Sequence, residues 1–515
     1  MTRRNSCLLD HLKCGNCKQF YADCSRAGQN SDGIICDDFV PISRMFYDDS
    51  ETPKFIPLKL ADYISYHMNE HYMTPRDTGR IHRWDHNKYV NDGKSYIHEY
   101  VQAFINDGVS KRRTDEVIHC LKTNTYISRQ KHSLPLELVP LNNGLLNLKT
   151  KELEPHDPQY FYTNTLNVEY KKDAECKTFF KFLSEVVAKE DIPIIQELLG
   201  YLLIKDYRFQ YAFCFLGEGA NGKSTLLNTI IEMLGKDNIS SLSLHELVVN
   251  RFAPSRLYGK YANIHPDLSS KALRDTAMFK MLTGGDAISA DKKFKDGFEF
   301  FNYAKLIWSA NRLPKINQDD TIAFFRRWIL ITFPHSFTKN ADHNLINKLT
   351  TKKELSGILN WAIEGYERLI EKDKFSYSVT TEKVEEQYLK MSDPIKAFVL
   401  ERIAPRDLSV EEMEESEYVL RFTNSGFILK EDLYQAYLQY CSDKRLPAAA
   451  NNVFARDLLR AAQGIKGGLF TVFGKRQRVW EGIEYIGKTY DNPKEAEEEG
   501  NKTLDCFGGE DEGEN

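Results

Sequence analysis

The ten residues LGEGANGKST, from Leu216 to Thr225, decide the fold of the central part of this 515-residue chain. Gly217 to Ser224 satisfy the pattern G-x-x-x-x-G-K-[ST], in which glycines let backbone N–H groups close around phosphates at the start of a helix. In such a loop the lysine, Lys223, reaches the β- and γ-phosphates, and the hydroxyl of Ser224 ligates Mg²⁺. The stretch therefore predicts a site for a nucleoside triphosphate.

The flanking sequence supplies the strand and the helix that such a loop requires. Tyr211–Leu216 is a short apolar run typical of a buried parallel strand, and Ser224–Leu234 is a predicted helix that ends at Gly235. Farther along, Lys305–Asn311 is an apolar strand with a polar amide at its end, and Phe324–Phe333 contains paired arginines that precede another apolar strand. Hydrolysis needs an acid, a polar sensor and an arginine. This order of elements is that of a P-loop ATPase core.

The composition is that of a globular protein with several domains. Hydrophobic residues make up 42% of the chain and charged residues 28%, and a chain of this length is expected to contain three or four domains. There is no apolar run of about 18 residues, and the first residues lack the apolar segment and cleavage site of a signal peptide. The sequence predicts a soluble, cytoplasmic protein without a membrane partner.

The net charge of −5 is unevenly distributed along the chain. Residues 491–515 alone carry a net charge of −8, so the rest of the chain is slightly basic and compatible with a nucleic-acid partner. The tail has few large apolar residues and is expected to be disordered, with solvation favoured over a specific partner.

Four of the ten cysteines cluster near the start of the chain, as is typical of metal ligands in a cytosolic protein. They are Cys14, Cys17, Cys24 and Cys36. The C-x2-C pair favours a zinc site, although the spacing of the second pair is not that of a standard finger. Unligated thiols and an iron–sulfur cluster remain alternatives, and either Cys7 or His11 could replace one of the four ligands.

Five segments carry a family resemblance in their order: GEGANGKST, NRFAPSRLYGKYANIHPDLS, FKMLTGGDAISADKKFK, AKLIWSANRLP and FFRRWILITF. Together they resemble superfamily 3 helicases of the phage and plasmid primase–helicase type. The upstream segment LNNGLLNLKTKELEPHDPQYFYTNTLNVEY is similar to the domain that precedes the helicase in that family and in poxvirus primase-helicases. The resemblance covers roughly residues 60 to 345.

The resemblance implies an α/β fold with an AAA+-like core that binds ATP and magnesium. Such proteins assemble into a ring, usually a homo-hexamer, and pull one DNA strand through the channel. Asn311 falls on the sensor, and Arg326 or Arg327 falls on an arginine finger that acts on a neighbour's nucleotide. The residues that fall on the nucleotide loop are Gly217, Glu218, Gly219, Ala220, Asn221, Gly222, Lys223, Ser224 and Thr225.

Asp267 falls on the acid that completes the magnesium site, but its context departs from the family pattern. The run before it is poorly apolar, His265-Pro266 interrupts that run, and no second acid is adjacent. Asp267 is therefore expected either to hold the magnesium shell and orient water alone or to be helped by Asp286. A surface loop acid is the alternative interpretation.

A basic hairpin is the first predicted DNA contact. Two strand-like arms between Ala287 and Phe300 flank a basic tip, and in the family the equivalent hairpin projects into the channel. Lys292, Lys293 and Lys295 are expected to contact the backbone of a single strand, with Phe294 stacking on a base. An ordinary solvated turn is the alternative.

The C-terminal part is the second predicted DNA contact. Helical patterns at Lys430–Cys441 and Asn452–Arg460 precede a predicted hairpin at Gly468–Trp480. Two helices followed by a basic two-stranded wing are typical of a winged helix, which either holds duplex DNA or docks a protein. Its basic wing residues are Lys475, Arg476 and Arg478.

The chain therefore divides into six predicted segments. They are a cysteine-rich module (1–45), a primase–helicase-type α+β domain (55–175), the ATPase core (176–345), a helical lid or linker (346–395), a winged-helix domain (396–487) and the acidic tail (488–515).

Three functions are compatible with these segments. The first is an ATP-dependent DNA helicase at a replication origin or fork. The second is a helicase–primase subunit whose priming activity comes from a separate polypeptide, because only about 55 residues precede the family-like region and no primase constellation is evident. The third is a nucleotide-dependent DNA clamp or loader that does not unwind.

Overall fold

The computed structural model describes residues 45–67, 70–105, 108–271, 273, 275–292, 295–316, 322–337, 342, 344–405, 418–444, 446–472 and 475–486. The predicted zinc ligands Cys14, Cys17, Cys24 and Cys36, the hairpin-tip residues Lys293 and Phe294, and the acidic tail lie outside these residues. The predicted α/β class is confirmed, since helices and sheets mix throughout, and the chain separates into two compact units, Met1–Lys172 and Asp173–Asn515. Across the described ranges, every helix is too short or too polar to span a lipid bilayer.

The first unit contains two small sheets and a helical core. Its helices are α1 (Pro57–Asp62), α2 (Gly93–Ile105), α3 (Lys111–Asn124) and α4 (Arg129–His132), with a π-helical turn at Tyr63–His67. Its strands are β1 (Tyr72–Pro75), β2 (His82–Trp84), β3 (Tyr89–Val90), β4 (Tyr126–Ile127), β5 (Leu138–Leu141), β6 (Gly144–Asn147) and β7 (Leu153–Glu154). The sheet orders are β3-β2-β1-β4 and β5-β6-β7. The first three helices bury one apolar cluster, with Leu60, Ile97 and Leu121 fully enclosed.

Strands β5 and β6 form an antiparallel hairpin at the start of the segment that resembles the domain preceding the helicase. Leu141 pairs with Gly144, so the two turn residues are Asn142 and Asn143. Gly144 has a φ of +153° and lies under the carbonyl of the neighbouring strand, which leaves no room for a Cβ. Asn143 keeps a negative φ. Its side chain accepts a hydrogen bond from the N–H of Tyr170 and donates one to the carbonyl of Tyr170, both at 3.0 Å.

The second unit is built from a longer series of elements. Its helices are α5 (Lys177–Val186), α6 (Ile192–Tyr201), α7 (Lys223–Leu234), α8 (Leu244–Val249), α9 (Ala277–Gly284), α10 (Ile322–Phe325), α11 (Leu345–Leu349), α12 (Lys352–Lys372), α13 (Thr381–Ser392), α14 (Pro394–Arg402), α15 (Lys430–Asp443) and α16 (Asn451–Ala461). Its strands are β8 (Ala212–Leu216), β9 (Ile239–Ser240), β10 (Ala262–His265), β11 (Ala287–Lys292), β12 (Lys295–Phe301), β13 (Lys305–Ala310), β14 (Trp328–Thr332), β15 (Ile403–Ala404), β16 (Leu420–Leu429), β17 (Lys466–Val472) and β18 (Lys475–Tyr485).

A five-stranded parallel sheet is the centre of this unit, in the order β14-β8-β13-β10-β9. Every residue of β8 and β13 is buried, which explains why both strands are almost continuously apolar. Asn263 in β10 is a polar residue inside this sheet, and it is fully buried. Its amide accepts from the Ser240 hydroxyl and from the N–H of Leu242, and donates to the Leu242 carbonyl, so its polar atoms are satisfied.

The C-terminal part of the second unit combines helices with a four-stranded sheet of order β15-β16-β18-β17. The two predicted helices and the hairpin are confirmed as α15, α16 and β17–β18. The long strand β16 was not anticipated. One apolar cluster extends from the parallel sheet into this part, since Trp308 and Tyr437 both belong to it.

A buried lysine lies at the start of β13. Lys305 is fully enclosed, its ammonium lies 4.4 Å from the centroid of the Tyr201 ring, and it donates to the carbonyl of Ile204. Burial lowers the pKa of Lys305 to about 7, from an ordinary value of 10.5. Because the folded pKa lies below the unfolded one, protonation favours the unfolded chain, and stability is lost as the pH falls from above 10.5 toward 7.

We expect Lys305→Met to remove this pH dependence. Between pH 9 and pH 7 the wild-type free energy of unfolding should lose about 2 kcal/mol through this group, and the variant should not. Methionine keeps an apolar contact with the Tyr201 ring, and the lost hydrogen bond costs the same at both pH values. Urea denaturation of both proteins at the two pH values measures the difference; an equal change in both proteins would contradict the lowered pKa.

Candidate active site

The loop that joins β8 to α7 is shaped by two of its glycines. Gly222 has a φ of +90°, and a Cβ there would lie 2.7 Å from a methyl of Val186 and 3.2 Å from the Phe182 ring. Gly217 has a φ of +153°, and a Cβ there would lie 2.7 Å from the carbonyl oxygen of Phe333. Both positions combine a backbone conformation that glycine favours with a close neighbour, so the pattern of the loop has a steric cause.

Lys223 is buried beneath this loop at the first position of α7. Its ammonium donates to the carbonyl of Gly217 and, at 3.0 Å, to the side-chain oxygen of Asn221. Burial lowers the pKa of Lys223. The lysine is thus held inside the curve of the loop, with its positive charge at the N-terminus of a helix.

The tip of the loop is open to solvent. Glu218, Gly219 and Ala220 are exposed, and so is Ser224 in the first turn of α7, whereas Thr225 is half-buried. Exposed backbone N–H groups at a helix N-terminus form a binding site for anions such as phosphate. The residues present therefore fit a triphosphate.

Asn311 and Asp267 lie at the same edge of the sheet as the loop. Since β8, β13 and β10 are parallel neighbours, their carboxyl ends coincide. The N–H of Gly217 donates to Ala310 at 3.2 Å, and the N–H of Leu268 donates to Ser309 at 2.8 Å, so both flanking segments are tied to the end of β13. Asn311 and Asp267 are both exposed there. The structure brings together the loop, the amide and the acid.

The paired arginines lie at the opposite edge. They precede β14, whose first residue pairs with the first residue of β8, and a five-residue strand separates the two edges by about 16 Å. Arg326 is exposed, whereas Arg327 is buried and donates to the carbonyl of Ala323. Burial, and to a smaller extent the charge of Arg326, lowers the pKa of Arg327.

Asp286 lies with the arginines and not with Asp267. A Cβ at Gly284 would lie 2.9 Å from the Asp286 carboxylate and 3.8 Å from a guanidinium nitrogen of Arg327. Asp286 therefore lies near Arg327 and away from the glycine loop of its own chain.

The predicted DNA contacts are only partly described. Lys292 and Lys295 end β11 and begin β12, which pair as an antiparallel hairpin, but their side chains, like Lys293, lie outside the described part. Lys475, Arg476 and Arg478 are all exposed on the β17–β18 hairpin. Within the described ranges, no group of three or more His, Cys, Asp or Glu residues is arranged for a metal ion.

Arg312 is a residue that the sequence reasoning missed. It follows Asn311, and one of its guanidinium nitrogens donates to the carbonyls of Pro447 and Ala448 at 3.0 and 2.6 Å. These carbonyls lie just before α16, so Arg312 links the edge of the sheet that carries the glycine loop to the C-terminal part. Backbone acceptors so far along the chain leave no sequence signal.

Comparison with known proteins gives matches to two family models and to a named viral protein. Residues 61–188 match the family "D5 N terminal like", and residues 215–327 match a family of unknown function, DUF5906. A protein of Acanthamoeba polyphaga mimivirus named "Putative helicase L207/L206" is 26% identical over 219 residues, which is 40% of this chain and 22% of that protein. Together these matches support a phage or viral primase–helicase family for this chain. The match spans about a fifth of the mimivirus relative.

The solved structures that resemble this chain share less sequence identity with it. The apo structure of the NrS-1 C terminal region has a TM-score of 0.45 and 13% identity, and covers 83% of this chain and 99% of that one. A second apo form of the same region has a TM-score of 0.44 and 12% identity, with 82% and 98% covered.

Proposed function

We propose that this chain is an ATP-dependent DNA helicase that acts as a ring at a replication origin or fork. The observation that carries the proposal is the shared edge of the parallel sheet, where the glycine loop, Asn311 and Asp267 meet. A phosphate cradle, a polar amide and an acid are the groups that hydrolysis of a bound triphosphate requires from one subunit.

The loop and Lys223 are the binding half of this site. Backbone N–H groups of the loop and the first turn of α7 donate to phosphate oxygens. Lys223 now donates to Gly217 and Asn221, and it can exchange these acceptors for phosphate oxygens without leaving the loop.

The hydrolytic half consists of Ser224, Asp267 and Asn311. The hydroxyl of Ser224 and the carboxylate of Asp267 are oxygen donors of the kind that magnesium prefers, and magnesium bound there neutralises phosphate charge. Asp267 accepts a proton from the attacking water, and the Asn311 amide orients that water by a hydrogen bond. The exposure of all three side chains supports these roles.

The position of the arginines supports a ring. Arg326 is exposed at the far edge of the sheet, about 16 Å from the loop of its own chain. An arginine in that position serves a loop only when the loop belongs to a neighbouring subunit, which requires head-to-tail contacts, and such contacts form a ring when the rotation between subunits closes. The predicted homo-hexamer is one such arrangement.

A strand-displacement assay tests the helicase. With ATP and magnesium, the wild type should release a labelled strand from forked DNA, and single-stranded DNA should stimulate hydrolysis. The clamp or loader is the competing function, favoured by the lack of a second acid next to Asp267. DNA-stimulated hydrolysis without displacement on forks with either tail would reject the helicase and leave the clamp.

A further inference from the structure

The β17–β18 hairpin has two chemically different faces. Cross-strand pairs join Gly467 to Trp480, Leu469 to Arg478 and Thr471 to Arg476. Because side chains alternate between the faces of a strand, Arg476, Arg478 and Trp480 share one face, and Lys475 lies on the other.

Lys430 extends the cationic face from a different element. It is the first residue of α15, and its ammonium lies 3.8 Å from the centroid of the Trp480 ring. Gly467, the cross-strand partner of Trp480, leaves room for it, since a Cβ there would lie 3.0 Å from the Lys430 nitrogen. The ammonium is therefore held in a defined place by a cation–π contact.

The three cations on this face are not neutralised within the described part of the chain. None of Lys430, Arg476 and Arg478 forms an ion pair with a described residue. Burial lowers the pKa of Lys430, and the positive charge of Arg478 lowers it further. A half-buried cation beside a second cation is electrostatically unfavourable in the free protein, and an anion bound between them relieves that repulsion.

The acids next in sequence to Lys430 do not occupy this place. Glu431 accepts from the side chain of Gln435 at 3.0 Å, and within the described residues neither Glu431 nor Asp432 forms an ion pair with Lys430. Successive residues of a helix also point in different directions. The face thus keeps its net positive charge.

We propose that Lys430, Arg478 and Arg476 form one row that binds phosphates along a DNA strand of a duplex, while Lys475 on the opposite face takes no part. Alternate residues of a strand are about 6.6 Å apart, so the row follows a backbone rather than surrounding a single phosphate. This proposal rests on the proposed function, because that function requires DNA binding. It adds Lys430 to the predicted DNA-binding residues of the hairpin and removes Lys475 from them.

The test measures DNA affinity of the full chain against salt concentration, by fluorescence anisotropy of a labelled duplex and of the same single strand. The slope of log K against log salt is negative, and Lys430→Ala, Arg476→Ala and Arg478→Ala should each make it less steep by about 0.9 for duplex. For each of these variants, the loss of duplex affinity relative to the wild type should then be about 3.5-fold larger at 50 mM than at 200 mM salt. Lys475→Ala is the matched control, since it removes a neighbouring exposed cation, and its slope should stay at the wild-type value.

Further variants and outcomes separate this proposal from the proposed function. Lys430→Arg keeps both the charge and the ring contact and should restore the slope. Arg476 and Arg478 are exposed, so their variants keep the fold even if Lys430→Ala does not. Two results would reject the proposed row of cations while leaving the helicase proposal intact, provided that the wild type displaces strands. In the first, Lys475→Ala reduces the salt dependence as much as the arginine variants do. In the second, no variant changes the salt dependence. Losses on single strands only would also reject a duplex site. A wild type that neither binds nor unwinds DNA overturns both.

Discussion

Lys223→Ala should reduce the rate of ATP hydrolysis by about 10²–10³-fold or more. A loss of this size is typical when an enzyme loses one preorganised hydrogen-bond donor that stabilises the negative charge developing in the transition state. The ammonium of Lys223 is buried inside the nucleotide loop and donates to two acceptors of that loop. Alanine removes both the charge and the bonds that hold it in place. The measurement is phosphate release at saturating ATP and magnesium, with and without single-stranded DNA.

Lys236→Ala is the matched control for this variant. Lys236 lies just beyond the other end of the same helix, exposed and paired with Glu232 at 3.2 Å. The Lys236→Ala protein should hydrolyse ATP at the wild-type rate, since exposed ion pairs contribute little to stability. Thermal unfolding of both variants shows whether the fold is intact. A folded Lys223→Ala protein with wild-type turnover would remove the loop from the active site.

The conformation of the glycine loop could be predicted because its cause is local. The apolar strand, the glycines with positive φ and the start of the helix are contiguous in the chain, and each is observed where the sequence indicates. The common edge of Asn311 and Asp267 follows from one further rule, that parallel strands place their carboxyl ends together. The weak apolar character before Asp267 has a non-local explanation, because Asn263 satisfies its polar atoms with Ser240 and Leu242 inside the sheet.

Contacts between distant residues could not be predicted. The Arg312 guanidinium meets backbone carbonyls of Pro447 and Ala448, and Lys430 meets Trp480, where only the folded chain brings the partners together. Arg326 and Arg327 are adjacent residues of the same type, yet Arg326 is exposed and Arg327 is buried. Packing against the Ala323 carbonyl separates them, and no motif distinguishes two adjacent arginines by burial.

That difference makes Arg326 the residue to test as the finger. Arg326→Ala should lower hydrolysis by about 10³-fold, the lower end of what an arginine finger contributes. Arg327→Ala should mainly lose stability, since it removes a buried side chain. Arg208→Ala is the matched control: it is exposed near the start of β8, at the same edge of the sheet, and pairs with Asp206. Its turnover should remain at the wild-type level.

Mixing two inactive proteins then decides whether Arg326 acts across subunits. An Arg326→Ala subunit keeps Lys223, and a Lys223→Ala subunit keeps Arg326, so an interface between them in one direction holds both groups. With free exchange at equal amounts, about one interface in four is complete in a cyclic ring, and hydrolysis should recover to a comparable fraction of wild type. A mixture of Lys223→Ala with an Arg326→Ala, Lys223→Ala double variant should not recover, because no complete interface can form. If labelled subunits exchange but the first mixture stays inactive, the arginine does not serve a neighbour's site, and the head-to-tail ring loses its structural support.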